Sequence, residues 1–181
     1  SLSSGFITFS HFDDGSFDYT VSDPDSLSDT GHVTVSKQSG NTLNGSSVSE
    51  ILIGNSEANT LNGGGGADIL IGNGGDDTFV FKSVTDSQPG AGHYDTINDF
   101  AAGADHIDLT AITGATNIQD LAQGNTLAAH SVGWLVDSAH DQTIVYVNTT
   151  DTAETPGHTD MEIHLVGTNI DLSNAFLLHH S

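Results

Sequence analysis

From Gly45 onward the chain alternates six polar or glycine-rich residues with three residues of strand character, and the pattern advances by nine. Turns open at Gly45, Gly54, Gly63 and Gly72, and the eighth position of each copy is Leu52, Leu61, Leu70 or Phe79. A six-residue turn followed by a three-residue strand predicts a coil in which two copies make one full circuit. The two-residue strand period then points the eighth residue inward, where it stacks on its neighbours. Before the repeats, period-two alternation predicts antiparallel strands at 6–9, 17–21 and 32–36, with turns at 13–16 and 22–25 and a polar linker at 36–44. Beyond them, strands are expected at 127–136, 143–148 and 161–166, with a short helix at 118–122. An apolar segment at 172–178 is expected to cover the open end of the coil, because exposed strand edges invite pairing. The fold class is all-β. Residues 1–41 read as the closing strands of a larger sandwich or as a cap, 42–110 as the parallel coil, and 111–181 as a C-terminal β cap.

The sixth positions of the four turns are Glu50, Asn59, Asp68 and Asp77. One acidic or amide side chain in the same place each time makes a row down each edge of the coil. Carboxylates stacked in this way repel one another unless a cation lies between the turns. Hard oxygen donors and convergent glycine-turn carbonyls suit calcium. The candidate ligands are Asn55, Glu57, Asn59, Gly63, Gly65, Asp68, Gly72, Gly74, Asp77, Asp86, Asp95 and Asp99. Asp95 falls two periods after Asp77 and is expected on the same edge one circuit later. Asp86 falls one period after Asp77, in a turn that lacks glycine. Asp105 and Asp108 are further candidates. Asp13, Asp14, Asp23, Asp25 and Asp29 are either solvated turn residues or a junction site.

Composition sharpens this picture. Lys plus Arg number 2 against 24 Asp plus Glu, for a net charge of -22. Nothing neutralises phosphate, so nucleic acid and anionic membrane are poor partners. Self-repulsion on this scale opposes compaction, and about six divalent ions would offset roughly half of it. With no Cys the chain has no disulfide chemistry, which leaves metal as the available staple. No membrane-length apolar run and no N-terminal leader pattern is visible, and a monomer is expected.

The nonapeptide resembles that of the repeats-in-toxin family, and the resemblance implies a calcium-binding parallel β-roll. The stretches Asp77-Thr78-Phe79-Val80-Phe81, Asp86-Ser87, Asp95-Thr96-Ile97-Asn98-Asp99-Phe100 and Gly103-Ala104-Asp105-His106-Ile107-Asp108-Leu109 extend the likeness. Together they are similar to the C-terminal domain of serralysin-type metalloproteases, to alginate epimerase repeat modules and to the C-termini of large type I secreted adhesins. Residues 14–23, with Thr34-Val35, resemble the closing strands of cadherin-like or immunoglobulin-like adhesin repeats. These resemblances imply a non-catalytic folding and export module of a secreted or cell-surface bacterial adhesin, serving cell adhesion and biofilm attachment. They also imply a type I secretion system as partner: ABC transporter, membrane fusion protein and outer-membrane channel. The segment 169–178 is the expected secretion signal, although Leu-Leu-His-His-Ser departs from the usual Asp-Phe-apolar ending.

Other chemistries are weaker. His158, Asp160, Glu162 and His164 alternate with Met161, Ile163 and Leu165, which reads as a half-exposed strand before it reads as a zinc site. No His-Glu-x-x-His occurs, so the serralysin catalytic motif is missing from this sequence. Trp134 and Tyr146 offer either a core pair or a sugar-stacking platform. The alternative reading is therefore an accessory module of a secreted enzyme that binds a polysaccharide such as alginate. The two lysines and the lack of Arg argue against an acidic polymer.

Overall fold

Three-residue strands cannot stand alone, so each must find a partner one circuit away, and the register shows that each does. The structure, a computed structural model, describes residues 15–22, 28–36, 40–121, 126–168 and 170–179. The expected strand at 6–9, the aspartates Asp13, Asp14, Asp23 and Asp25, linker positions 37–39 and Asn169 lie outside them.

The strands are β1 (Gly15–Ser22), β2 (Ser28–Ser36), β3 (Thr42–Asn44), β4 (Glu50–Ile53), β5 (Thr60–Asn62), β6 (Ile69–Ile71) and β7 (Thr78–Val80). They continue with β8 (Asp95–Ile97), β9 (His106–Asp108), β10 (Asn117–Asp120), β11 (Ser131–Asp137), β12 (Gln142–Asn148), β13 (Met161–Val166) and β14 (Phe176–Leu177). A short sheet runs β14-β9-β7-β5-β3 with every pair parallel. A long sheet runs β1-β2-β4-β6-β8-β13-β12-β11-β10. It is parallel from β2 to β13 and antiparallel at β1–β2 and from β13 to β11, with β10 parallel to β11.

Two columns of inward side chains fill the coil. Leu43, Leu61, Phe79 and Ile107 stand in register on the short sheet. Leu52, Leu70, Ile97 and Leu165 do so on the long one. All eight are buried in one continuous core, and the eighth position of every repeat is fully buried, as its periodicity implies. Emptying one such site to alanine costs about 2–5 kcal/mol.

Three sequence expectations are corrected. Residues 117–120 form strand β10 rather than the start of a helix, because the edge of β11 offers them a parallel partner. In the strand expected at 127–136, Leu127 makes only an isolated bridge to Glu154, and β11 begins at Ser131. The spacing of the coil also changes. Asp95 stands one circuit below Asp68, not below Asp77, because the 81–94 connection replaces a regular turn with a longer loop. The two residues are separated by 27 positions, where the earlier circuits take 18. The segment expected to cover the coil behaves as foreseen: β14 extends the short sheet beyond β9, and Leu172, Ala175, Phe176 and Leu178 are buried in the core.

Candidate metal centre

The turns line two edges of the coil, and a ladder of hydrogen bonds runs down each. On the first edge the Glu50 N–H donates to Asp68 Oδ1 at 2.8 Å, and the Asp68 N–H donates to Asp95 Oδ1 at 2.8 Å. On the second edge the Asn59 N–H donates to Asp77 Oδ1 at 2.8 Å, and the Asp77 N–H to Asp105 Oδ1 at 2.9 Å. Asp68, Asp77, Asp95 and Asp105 thus each spend one oxygen on the circuit before.

The fate of the other oxygen separates two kinds of turn. In turn 45–50, Glu50 Oε2 accepts the Ser46 N–H at 2.5 Å, and Oε1 accepts the Ser46 hydroxyl. In turn 54–59, Asn59 Oδ1 accepts the Asn55 N–H at 2.6 Å. These turns close on themselves. At the bottom of the second edge Asp105 does likewise, with Oδ2 accepting the Ala101 N–H at 2.8 Å. In contrast, Asp68 Oδ2, Asp77 Oδ2 and Asp95 Oδ2 are buried and accept no hydrogen bond. A fourth such oxygen, Glu154 Oε2, lies in the loop before β13, away from both edges. A buried carboxylate oxygen without a donor costs several kcal/mol in its charged form, so a set of three at equivalent positions calls for a cation.

Left-handed backbone creates this difference at Asp68 and Asp77. Gly64 and Asn73 at the second position, and Gly66 and Gly75 at the fourth, have φ of +88°, +68°, +119° and +114°. No residue of turns 45–50 or 54–59 has positive φ. A left-handed backbone at two points carries the second N–H away from the sixth side chain, so the carboxylate is left uncapped. The first glycine matters for space: a Cβ at Gly63 or Gly72 would overlap the carboxylate of Asp68 or Asp77.

Electrostatics agrees with the geometry. Burial, reinforced by neighbouring Glu50 and Asp86 and opposed by the Glu50 N–H, pushes the Asp68 carboxyl up to about 6. Burial pushes Asp95 up to about 8, with Asp68 and Asp86 adding to it. Asp77 is raised too, by burial first and then by Asp105, Asp99 and Asp76. A nearby dication inverts this penalty, because it favours the charged form.

The remaining candidates take distinct places. Asp99 accepts the Gly72 and Asn73 N–H groups at 3.0 and 2.7 Å on the second edge. Asp86 acts electrostatically on the first edge, while its Oδ2 holds the Lys82 and Ser83 N–H groups within its own loop. Asn55 accepts the Glu57 N–H at 2.7 Å, and the Glu57 side chain is exposed. The Gly65 N–H donates to Ser46 C=O and the Gly74 N–H to Asn55 C=O, so turn 63–68 pairs with 45–50 and turn 72–77 with 54–59. Asp108 caps Thr110 instead of joining a ladder. Among the described residues no three His, Cys, Asp or Glu side chains converge on one point. A cation here would draw one or two carboxylates from the ladder and its other oxygens from turn carbonyls. Sequence reasoning named Ser87 only within the family-like pair Asp86-Ser87 and gave it no role. The clue was its position directly after Asp86 in a loop with no repeat signature.

Two readings of the C-terminal strands are overturned. Glu162 and His164 are buried rather than half-exposed, since Tyr94 stacks on the His164 ring at 3.6 Å and 5°. His164 reaches Glu162 Oε1 at 2.5 Å and Gln142 Oε1 at 2.9 Å, while Asp160 caps Thr149 and His158 is exposed, so no zinc constellation forms from the four. Trp134 joins the main core against Phe176, whereas Tyr146 belongs to the cluster of Leu121, Leu127 and Ile144 on the opposite face. They form neither a core pair nor a joint platform.

The family model described as peptidase M10 serralysin C terminal matches residues 4–177. The fold is similar to that of the AlgE6R2 subunit of the Azotobacter vinelandii mannuronan C5-epimerase, solved in solution. The TM-score is 0.50 at 24% identity, over 76% of this chain and 86% of that one. The AlgE6R3 subunit of that enzyme gives a TM-score of 0.46 at 23% identity, over 75% of this chain and 76% of that one. No curated protein sequence matches the chain.

Proposed function

The chain belongs to the serralysin C-terminal family, and from that premise we propose that it is a non-catalytic calcium-binding module which folds when it meets calcium outside the cell. The observation that carries this reading is the set of three buried, uncapped aspartate oxygens at equivalent places on the two edges. Asp68 and Asp95 would hold calcium on the first edge, and Asp77, supported by Asp99, on the second. Bound calcium supplies compensating positive charge at the oxygens that the fold leaves without donors. The chain's own part is to present them. Glycine turns withhold the capping N–H, the ladder fixes Oδ1, and the leucine columns hold successive circuits in register.

Without the ion, a chain of net charge -22 must bury three carboxylates either charged, against its own repulsion, or protonated at a cost that grows with pH. That favours an unfolded, threadable polypeptide inside the cell, where calcium is scarce. Outside, the weak affinities typical of extracellular sites, ~10⁻⁴–10⁻³ M, suffice to fold it. Folding after export opposes return through the channel, because binding to the folded state alone draws the equilibrium outward. The family supports export by a type I system. An adhesin as parent protein is supported by the sequence likeness at 14–23, and the β1–β2 hairpin that carries most of it pairs into the long sheet.

Circular dichroism during a calcium titration tests the proposal. We expect strand signal to appear with calcium and to vanish with chelator. An unchanged spectrum on chelation would overturn it.

A further inference from the structure

The first-edge ladder does not stop at the roll. Above it, each sixth-position N–H is received by a carboxylate one circuit on; at Asp95 the pattern breaks, and the N–H donates to Ser87 Oγ at 2.7 Å. Ser87 is fully buried, and its hydroxyl donates to the Glu162 C=O at 2.5 Å. The Glu162 N–H returns to the Ser87 C=O at 3.0 Å. Asp95 also faces Ile163 in the register of β8 with β13. The second edge has no such extension. Its last member, Asp105, sends its N–H to Ala101 C=O at 2.9 Å and takes the Ala101 N–H in return.

We propose that Ser87 is the joint through which the first-edge calcium ladder orders β13 and the strands beyond it, so that metal on Asp68 and Asp95 sets the folding of the C-terminal sheet. The inference rests on the calcium reading above. A hydroxyl is suited to this place because it accepts and donates at once, passing polarisation from the Asp95 N–H to the Glu162 carbonyl. A carboxylate there could accept but not donate, and the chain of hydrogen bonds would end. Ser87 is small enough to fit, and the long 81–94 loop delivers it. Asp86 fixes that loop by holding the Lys82 and Ser83 N–H groups. Tyr94, at the loop's other end, lies flat on His164 of β13 and makes a second contact between loop and strand. Ser87 is thus a positioning residue for the metal edge.

The test follows two regions of the same protein through one calcium titration. Amide hydrogen exchange reports the roll at 60–80 and the C-terminal sheet at 142–166. Emission of Trp134, the chain's single tryptophan, gives an independent signal from β11. In the unaltered protein both regions become protected at one midpoint. Ser87→Ala should raise the calcium midpoint of the C-terminal sheet about three- to tenfold above that of the roll, the scale of a buried hydrogen-bond pair. Ser87→Thr, which keeps the hydroxyl, should restore coincidence. Coincident midpoints in Ser87→Ala would overturn the proposal. If Ser87→Ala does not fold, a charge-neutral pair decides: Asp95→Asn should displace the Trp134 midpoint more than Asp77→Asn does, and equal displacement would overturn the proposal. A roll that ignores calcium in the unaltered protein would refute the underlying calcium reading instead.

Discussion

The two edges of the roll are written in the same nonapeptide and end differently. On the second edge the ladder from Asn59 through Asp77 closes on Asp105, which takes its last donor and acceptor from Ala101 in the same loop. On the first edge the ladder from Glu50 through Asp68 to Asp95 leaves the roll through Ser87 and enters β13. One edge is a self-contained carboxylate row; the other is a carboxylate row attached to a second structure. The lesson is that a repeat sets where the carboxylates stand, while the loop that interrupts the repeat sets what they are joined to.

Chelation is the harshest way to break the comparison, since it removes the ion from both edges together. The expected result is loss of the strand signal throughout, read by circular dichroism, with no edge surviving alone. Removing a single carboxylate separates them. Asp95→Ala and Asp77→Ala should each weaken calcium binding by about ten- to hundredfold, at least the cost of disturbing a supporting group. Isothermal calorimetry measures that loss, and Trp134 emission should follow it more closely for Asp95→Ala than for Asp77→Ala. A core change is blind to the edges: Leu70→Ala should cost about 2–5 kcal/mol in urea unfolding and shift both regions equally. A larger effect on one edge would show that the leucine columns are not shared.

Acidity sharpens the contrast in the absence of metal. The Asp95 carboxyl is raised to about 8 and that of Asp68 to about 6, against an ordinary 3.8 in the unfolded chain. The folded state therefore holds protons that the unfolded state releases. That contribution is fully present below about 3.8 and is lost as pH rises through 6 and then 8. Chelated protein should thus recover more strand signal at pH 5 than at pH 8.5, read by circular dichroism, and Asp95→Asn should flatten the dependence. With calcium present the sign reverses, because protons and metal compete for the same oxygens. The smallest effect is expected at Asp86→Asn, which keeps an oxygen for the Lys82 and Ser83 N–H groups and removes only a nearby charge. Calcium affinity should fall by less than about fivefold in the same calorimetry, on the scale of an exposed charge interaction.

Much of the roll was legible before any coordinates. The nine-residue period alone placed Leu52, Leu61, Leu70 and Phe79 in the core and put Asp68 and Asp77 at matched points of glycine turns, because strand alternation and turn geometry are local properties. The failures lie where local rules lose their hold. Counting in nines put Asp95 beneath Asp77, but a loop without repeat chemistry moved it beneath Asp68, and no spacing argument can weigh a loop that has no period. The segment at 117–120 lacks a strong period of its own, and a neighbouring strand edge decided its conformation. Burial of Glu162 and His164 likewise depended on Tyr94 arriving from a distant part of the chain.

The sequence by itself determined a calcium-suited coil: its handful of glycines, its stacked acids and its leucine columns follow from backbone angles and alternation that each nonapeptide carries within itself. Only the tertiary structure decided which carboxylate oxygens go without a donor and that one edge is joined to the C-terminal sheet. The ladder that occupies one oxygen of each carboxylate and the joint at Ser87 are hydrogen bonds between residues 18 to 75 positions apart, whose partners packing chooses. Whether the other oxygen is capped is settled only once the turn is folded.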